Sequence, residues 1–409
     1  MVSTNETADN TPLVWAARNG RERVVETLLK QDDVTPDKPG NYGQTPLWNA
    51  ARNVHEGVIR MLLERGEVNP DKPNDYGQVP LWFAAFNGYE GVVKFLLDQG
   101  ELNSGKPDND HLTPLWCAAF NGQERVVKML LERDEVSPGK PHNDGRTPLW
   151  CAAQNGHNGV AKMLLERDGV SPNKPVNDHQ TPLWSSAIGG HEGIVEMLLE
   201  RDDVNPNELD NDGQTPLPCA AWNGHAGVVK MHLERDEVNP DESDNGGRTP
   251  LLCAAWNGHA GVVKMLLEQD EVNPSEPDND GRTPLRCAAL KGHEGVVKTL
   301  LERDEVNPDK PDINGRTPLL CAAWNGHAGV VKMLLEREEV SPDKQDGDGR
   351  TPLSYAAGNG YAAVVEILLG RDDVDPCKPD EFGQTPLRLT TRHGHTAVVA
   401  LLRPEGPPI

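Results

Sequence analysis

The sequence predicts an all-α solenoid in which short antiparallel helix pairs stack one on the next and finger loops project between them. Three observations carry this reading. The phrase TPLLCAAWNGHAGVVKMLLE fills residues 249–268 and recurs letter for letter at residues 317–336. The triplet TPL begins at Thr11, Thr45, Thr113, Thr147, Thr181, Thr215, Thr249, Thr283, Thr317, Thr351 and Thr385, with Val79 in place of one threonine, so twelve repeats follow a constant step of 34 residues. Within each repeat the apolar residues take helical spacing twice before a turn-rich stretch closes it.

Each element follows from local chemistry. Thr249 is a good helix N-cap, and Pro250 stands at the first helical position, where its missing N–H costs nothing. Leu251, Ala254 and Ala255 make a short helix whose small residues let a neighbour approach. Asn257-Gly258 ends it, because glycine adopts the left-handed conformation of a helix C-terminus. In the second helix Val262 lies four residues before Leu266, and Val263 four before Leu267. The two stripes form one broad apolar face, with Lys264 and Glu268 on the other side. The following DEVNPSEPDNDG is rich in turn residues. A helix pair this short cannot bury both flanks alone, whereas stacked copies cover one another. The expected organisation is a leader over residues 1–10, an array over 11–402 whose last repeat is truncated as a cap, and a tail over 403–409. Thr390-Thr391, in place of the usual Ala-Ala, fits a terminal repeat.

Composition bounds the function. The apolar share is 36 %, or about 45 % once glycine is counted, which suits a folded chain rather than a disordered one. A formal charge of −24 disfavours nucleic acid and anionic membranes and leaves basic protein partners as the expectation. No apolar run approaches the length of a membrane span, and the polar start MVSTNETADN lacks a signal-type apolar segment. With seven cysteines, an odd number, the expectation is a reducing intracellular compartment, cytoplasmic or nuclear. A glycosylation sequon at Asn5-Glu6-Thr7 would then go unused.

The pattern G-x-TPL-x-x-AA-x-x-GH-x-x-VVK-x-LL resembles the ankyrin repeat along essentially the whole chain. That resemblance implies a curved solenoid, a role in protein recognition, and a first helix lining the concave surface, where the residue after Ala-Ala commonly touches the partner. The sequence departs from the family pattern in three ways. The period exceeds the usual one by a residue, the histidine after TPL is absent, and the glycine closing the second helix survives as Gly66 and Gly100 while other repeats carry residues such as Asp134 and Asp270. These features look like the long ankyrin arrays of fungal proteins, often found behind NACHT-type nucleotide-binding modules. Pro240, Pro274 and Pro308 should blunt strand pairing in the fingers.

No chemical constellation points to an enzyme, a cofactor or a metal. Cys117, Cys151, Cys219, Cys253, Cys287 and Cys321 share one register. Equivalent positions in stacked helices lie about 8–10 Å apart, too far for a disulfide or a shared zinc ion. They read as small apolar packing residues, and Cys377, alone in a finger, as the accessible thiol. Histidine follows six residues after cysteine in five repeats, as in Cys253 and His259. Five such pairs along a stack read as scaffold, with the ring bonded to local backbone, rather than as nucleophile and base. The acidic fingers lack a full calcium loop, and no Walker motif, HExxH or GxSxG is present.

The informative positions are those where repeats differ. After Ala-Ala stand Arg18, Arg52, Phe86, Phe120, Gln154, Trp222, Trp256, Leu290, Trp324 and Gly358, with Ile188 after Ser-Ala and Arg392 after Thr-Thr. Four residues earlier the series includes Trp48, Trp82, Trp116, Trp150, Trp184, Leu252 and Arg286. A spacing of four puts both columns on one helix face. Aromatic residues and arginine are enriched at binding hot spots. The predicted protein-binding residues are therefore Phe86, Phe120, Ile188, Trp222, Trp256, Leu290 and Trp324, together with Trp82, Trp116 and Trp150, although the tryptophans of the earlier column equally suit packing under a finger. The expected function is a monomeric, non-catalytic protein-recognition scaffold, a curved rod on the order of 110 Å if twelve repeats stack. The alternative is the sensor array of a larger NACHT-type NTPase whose catalytic module lies outside this chain.

Overall fold

The computed structural model describes residues 11–99 and 102–403; the expected leader, Gly100 and all but the first residue of the expected tail lie outside the described residues. Among the described residues there are 24 α-helices, one 3-10 turn at Asn41–Gly43 and no strand. They fall into two compact lobes, an N-terminal one ending at Asn205 and a C-terminal one beginning at Pro206. Each lobe is a stack of helix pairs.

The repeat based on Thr249 shows how the local chemistry works. Its first helix is Pro250–Asn257, and Thr249 Oγ1 accepts from the Leu252 N–H at 3.2 Å, satisfying one of the orphan donors of the first turn. Gly258 caps the other end with φ of 82°, and a Cβ there would sit 2.6 Å from the ring of His293. Both the backbone conformation and the close approach require glycine. The second helix, Ala260–Leu267, buries Val262, Val263, Leu266 and Leu267 and leaves Lys264 and Glu268 in solvent, as the two stripes predict.

Where the sequence departs from the pattern, the local bond is lost. Thr215 makes no side-chain cap bond, because the residue that would donate is Pro218, which has no N–H. Val79 has no side-chain oxygen, and the Trp82 N–H donates instead to the Val79 carbonyl at 3.0 Å.

Within each lobe, successive first helices approach more closely than successive second helices. Ala254, Ala255 and their equivalents are fully buried at that contact. Close spacing on one side and wide spacing on the other makes an arc with the first helices on its inner side.

Polar ladders tie repeat to repeat. In each lobe the histidine before the second helix reaches back to the preceding repeat, as His157 Nε2 does to the Phe120 carbonyl (3.0 Å) and His259 Nε2 to the Trp222 carbonyl (3.0 Å). A carbonyl only accepts, so Nε2 carries the proton. These rings were expected to bond local backbone; the glycine cap of the preceding repeat instead opens a slot that lets them cross. In the fingers Asp278 Oδ1 accepts from the backbone of Asp280 (3.0 Å) and Arg282 (2.8 Å), closing an Asx-type turn. One backbone bond joins neighbouring fingers, for example Ile313 N–H to the Asp280 carbonyl at 3.1 Å. The fingers are thus linked turns without strand ladders, consistent with the prolines that precede them.

Candidate functional site

The two variable columns occupy one helix face but not one environment. The earlier column is buried: Trp82 and Trp116 are 8 % exposed and Trp150 is 3 % exposed. The indole N–H of Trp116 donates to the Arg146 carbonyl and that of Trp150 to the Gln180 carbonyl, each at 3.1 Å and each in the finger that leads into the following repeat. The expectation that Trp82, Trp116 and Trp150 face a partner is corrected accordingly. Their position in the first helical turn puts them under the next finger, and they pack there.

The later column, one turn on and clear of the finger, remains accessible. Phe86 and Ile188 are 37 % exposed and Trp222 is 39 % exposed; Phe120, Trp256, Leu290 and Trp324 are half-buried. The buried column supports it from beneath. In the N-terminal lobe Phe86 stacks on Trp82 with centroids 5.4 Å apart, and Phe120 on Trp116 at 5.3 Å. Stacking of this kind holds an aromatic ring in place while leaving its outer face open.

The C-terminal lobe builds its surface differently, with residues that sequence reasoning missed. Arg282 and Lys291 lie over Trp256, at 5.8 and 4.8 Å from the ring centroid, and Arg316 lies over Trp324 at 5.1 Å. Trp324 also stacks against Tyr355, with centroids 4.7 Å apart. The arginines stand immediately before the N-cap threonine, a register that holds glutamine at Gln214 and Gln384. That variation was the available signal.

Buried carboxylates in the fingers hold two arginines of this register, Arg248 and Arg282. Asp244 Oδ2 pairs with Arg248 at 2.7 Å, and Asp278 Oδ2 with Arg282 at 2.6 Å. Burial by itself would raise the Asp244 pKa, but bonds from the Arg248 backbone and Gln214, with the guanidinium charge, bring it below the usual value. Arg286, in the tryptophan column, is 5 % exposed and reaches Asp312 at 2.8 Å, a buried ion pair where other repeats place an indole.

The cysteine register carries no reactive thiol. All six residues are buried and unbridged, and burial pushes Cys253 and Cys287 up to about 12 and Cys321 to about 11. A thiol held protonated this firmly is no nucleophile. Of the paired histidines, His157, His259, His293 and His327 turn to backbone carbonyls of the preceding repeat. Cys377 is exposed. Among the described residues no cluster of three metal-ligating side chains exists, and no helix is long and apolar enough to cross a membrane.

The family model described as ankyrin repeats (3 copies) matches residues 2–72, 67–139, 134–210, 169–244, 203–278, 233–312, 271–346 and 338–408. The chain belongs to the ankyrin-repeat family. Comparison with curated proteins gives no match. Ankyrin repeats are protein–protein interaction modules in general, and the later column of this array lies on the first helices, along the inner side of each lobe's arc.

Proposed function

We propose that this ankyrin array is a non-catalytic recognition scaffold that holds a protein partner along the later column of its first helices. One observation carries the reading: Phe86, Phe120 and Ile188 in the N-terminal lobe, and Trp222, Trp256, Leu290 and Trp324 in the C-terminal lobe, keep open faces while the framework around them is buried. Apolar surface left open in register, repeat after repeat, favours a binding surface over chance exposure. The formal charge of −24 supports long-range attraction of partners that are basic overall. The sensor array of a NACHT-type NTPase would use the same surface and differ only in what lies outside the chain.

The test is affinity capture with the intact chain and with a variant carrying Phe86→Ala, Phe120→Ala, Trp222→Ala and Trp256→Ala. Partners held by this surface should be lost at roughly 2 kcal/mol or more per hot-spot ring. A captured partner retained in full by the variant would move the binding surface to the finger tips, where Tyr42, Tyr76, Ile313 and Phe382 are exposed.

A further inference from the structure

The strip running from Trp256 through Leu290 to Trp324 differs from the rest of the later column in its charge. Arg282 has its cation answered twice, by Asp278 Oδ2 at 2.6 Å and by Asp280 Oδ2 at 2.9 Å. Arg286 takes Asp312 at 2.8 Å. That second pairing has a consequence. In the two preceding fingers the buried aspartate serves the arginine four residues on, as Asp244 serves Arg248 and Asp278 serves Arg282. Asp312 is turned instead to Arg286, so its own Arg316 has no carboxylate within ion-pair distance among the described residues, and its Nε is buried without a bond. Arg316 rests on the face of Trp324. Lys291 is also without a carboxylate among the described residues, is exposed, and lies over Trp256. It stands where most repeats carry asparagine, as at Asn257 and Asn325.

We propose that this strip takes an extended, carboxylate-bearing segment of a protein partner, with Lys291 and Arg316 receiving the carboxylates and Trp256, Leu290 and Trp324 the apolar side chains between them. The proposal rests on the recognition reading above and names the partner chemistry for one part of it. Two unanswered cations flanking an apolar patch, in a chain of formal charge −24, form a local reversal of sign that a basic segment would meet unfavourably. Tryptophan and arginine together would also suit a single-stranded nucleic acid. A polyanion, however, would meet the repulsion of the whole chain, whereas a segment with one or two matched carboxylates meets only the strip.

The test uses the full chain and fluorescence anisotropy with short labelled peptides of alternating leucine and glutamate, leucine and lysine, or leucine and glutamine, beside a labelled oligothymidylate. The variant Lys291→Asn/Arg316→Gln introduces residues that the same registers already hold elsewhere in the array, so its melting curve should match that of the parent. Saturable binding of the glutamate peptide, weakened by salt and by roughly fivefold or more in this variant, is the expected result. Equal binding of the lysine or glutamine peptide overturns the proposal, as does absence of saturable glutamate-peptide binding, or binding of the oligothymidylate alone. If the glutamine peptide binds as well and is lost with Trp256→Ala/Trp324→Ala, the recognition surface stands and the charge assignment falls. If instead the ring substitutions leave the captured partner untouched, the recognition reading itself falls.

Discussion

The two lobes share one framework and differ in what they build on it. In the N-terminal lobe the accessible column opens with the exposed Arg18 and Arg52, and its aromatic part, Phe86 and Phe120 stacked on the buried Trp82 and Trp116, has no cation over either phenylalanine ring among the described residues. In the C-terminal lobe Trp256 and Trp324 are flanked by Arg282, Lys291 and Arg316, and the charges are arranged by buried finger aspartates. The framework bonds beneath are the same in both: threonine caps, glycine ends and histidine ties. Repetition therefore specifies stacking, while one or two positions per repeat are free to set the chemistry of the surface.

If that division holds, equivalent core positions should behave alike in the two lobes. Leu130 and Leu266 occupy the same register and are both fully buried. Replacing either with alanine should cost about 2–5 kcal/mol through cavity formation. Denaturant unfolding should give similar losses for both; a loss in only one would mean that the frameworks are not equivalent.

His232 is the C-terminal lobe's exception. The other eleven repeats carry leucine at this register. The ring is fully buried, its Nδ1 bonded to the Val228 carbonyl at 3.0 Å and its Nε2 without a partner among the described residues. His232→Leu should stabilise the protein by about 1–3 kcal/mol, because it removes an unsatisfied buried group. Burial holds the His232 pKa below its ordinary value of 6.5, so below that pH the unfolded chain binds more protons than the folded one. Stability contributed by the neutral ring is full above that value and lost as pH falls toward the lowered pKa. Melting curves from neutral to mildly acidic pH should show the gap between parent and variant widening; a constant gap would refute the assignment.

Val54 is an exception in the N-terminal lobe. It holds φ of 59° at a register where other repeats use glycine, and a β-branched residue is strained there. Val54→Gly should gain about 1 kcal/mol. The smallest effect belongs to Val79. Val79→Thr should offer a side-chain acceptor to the Trp82 N–H, which the Val79 carbonyl already takes at 3.0 Å, and gain at most about 1 kcal/mol, offset by the cost of burying the hydroxyl if the new bond does not form. Both are read by thermal denaturation, and a drop in melting temperature would contradict them.

Much of this protein was legible in the sequence by itself. The helix boundaries, the caps, the buried stripes of Val262 and Leu266 and the inert cysteine register all follow from contacts within a repeat or between identical neighbours. A pattern repeated without a slip states such contacts many times over. What only the tertiary structure decided lies between repeats. Spacing put Trp116 and Phe120 on one face, but the finger that covers Trp116 and spares Phe120 lies thirty residues further on, where the chain leads into the following repeat. It placed His259 at the start of a helix without showing that its ring crosses to the Trp222 carbonyl. It gave no reason to single out Arg316, because the carboxylate that would have answered it is drawn away by Arg286, an arginine on the first helix, far back along the chain from the finger. Local patterns carry local energies, whereas burial and charge pairing at the surface depend on which side chain, distant along the chain, occupies a shared space.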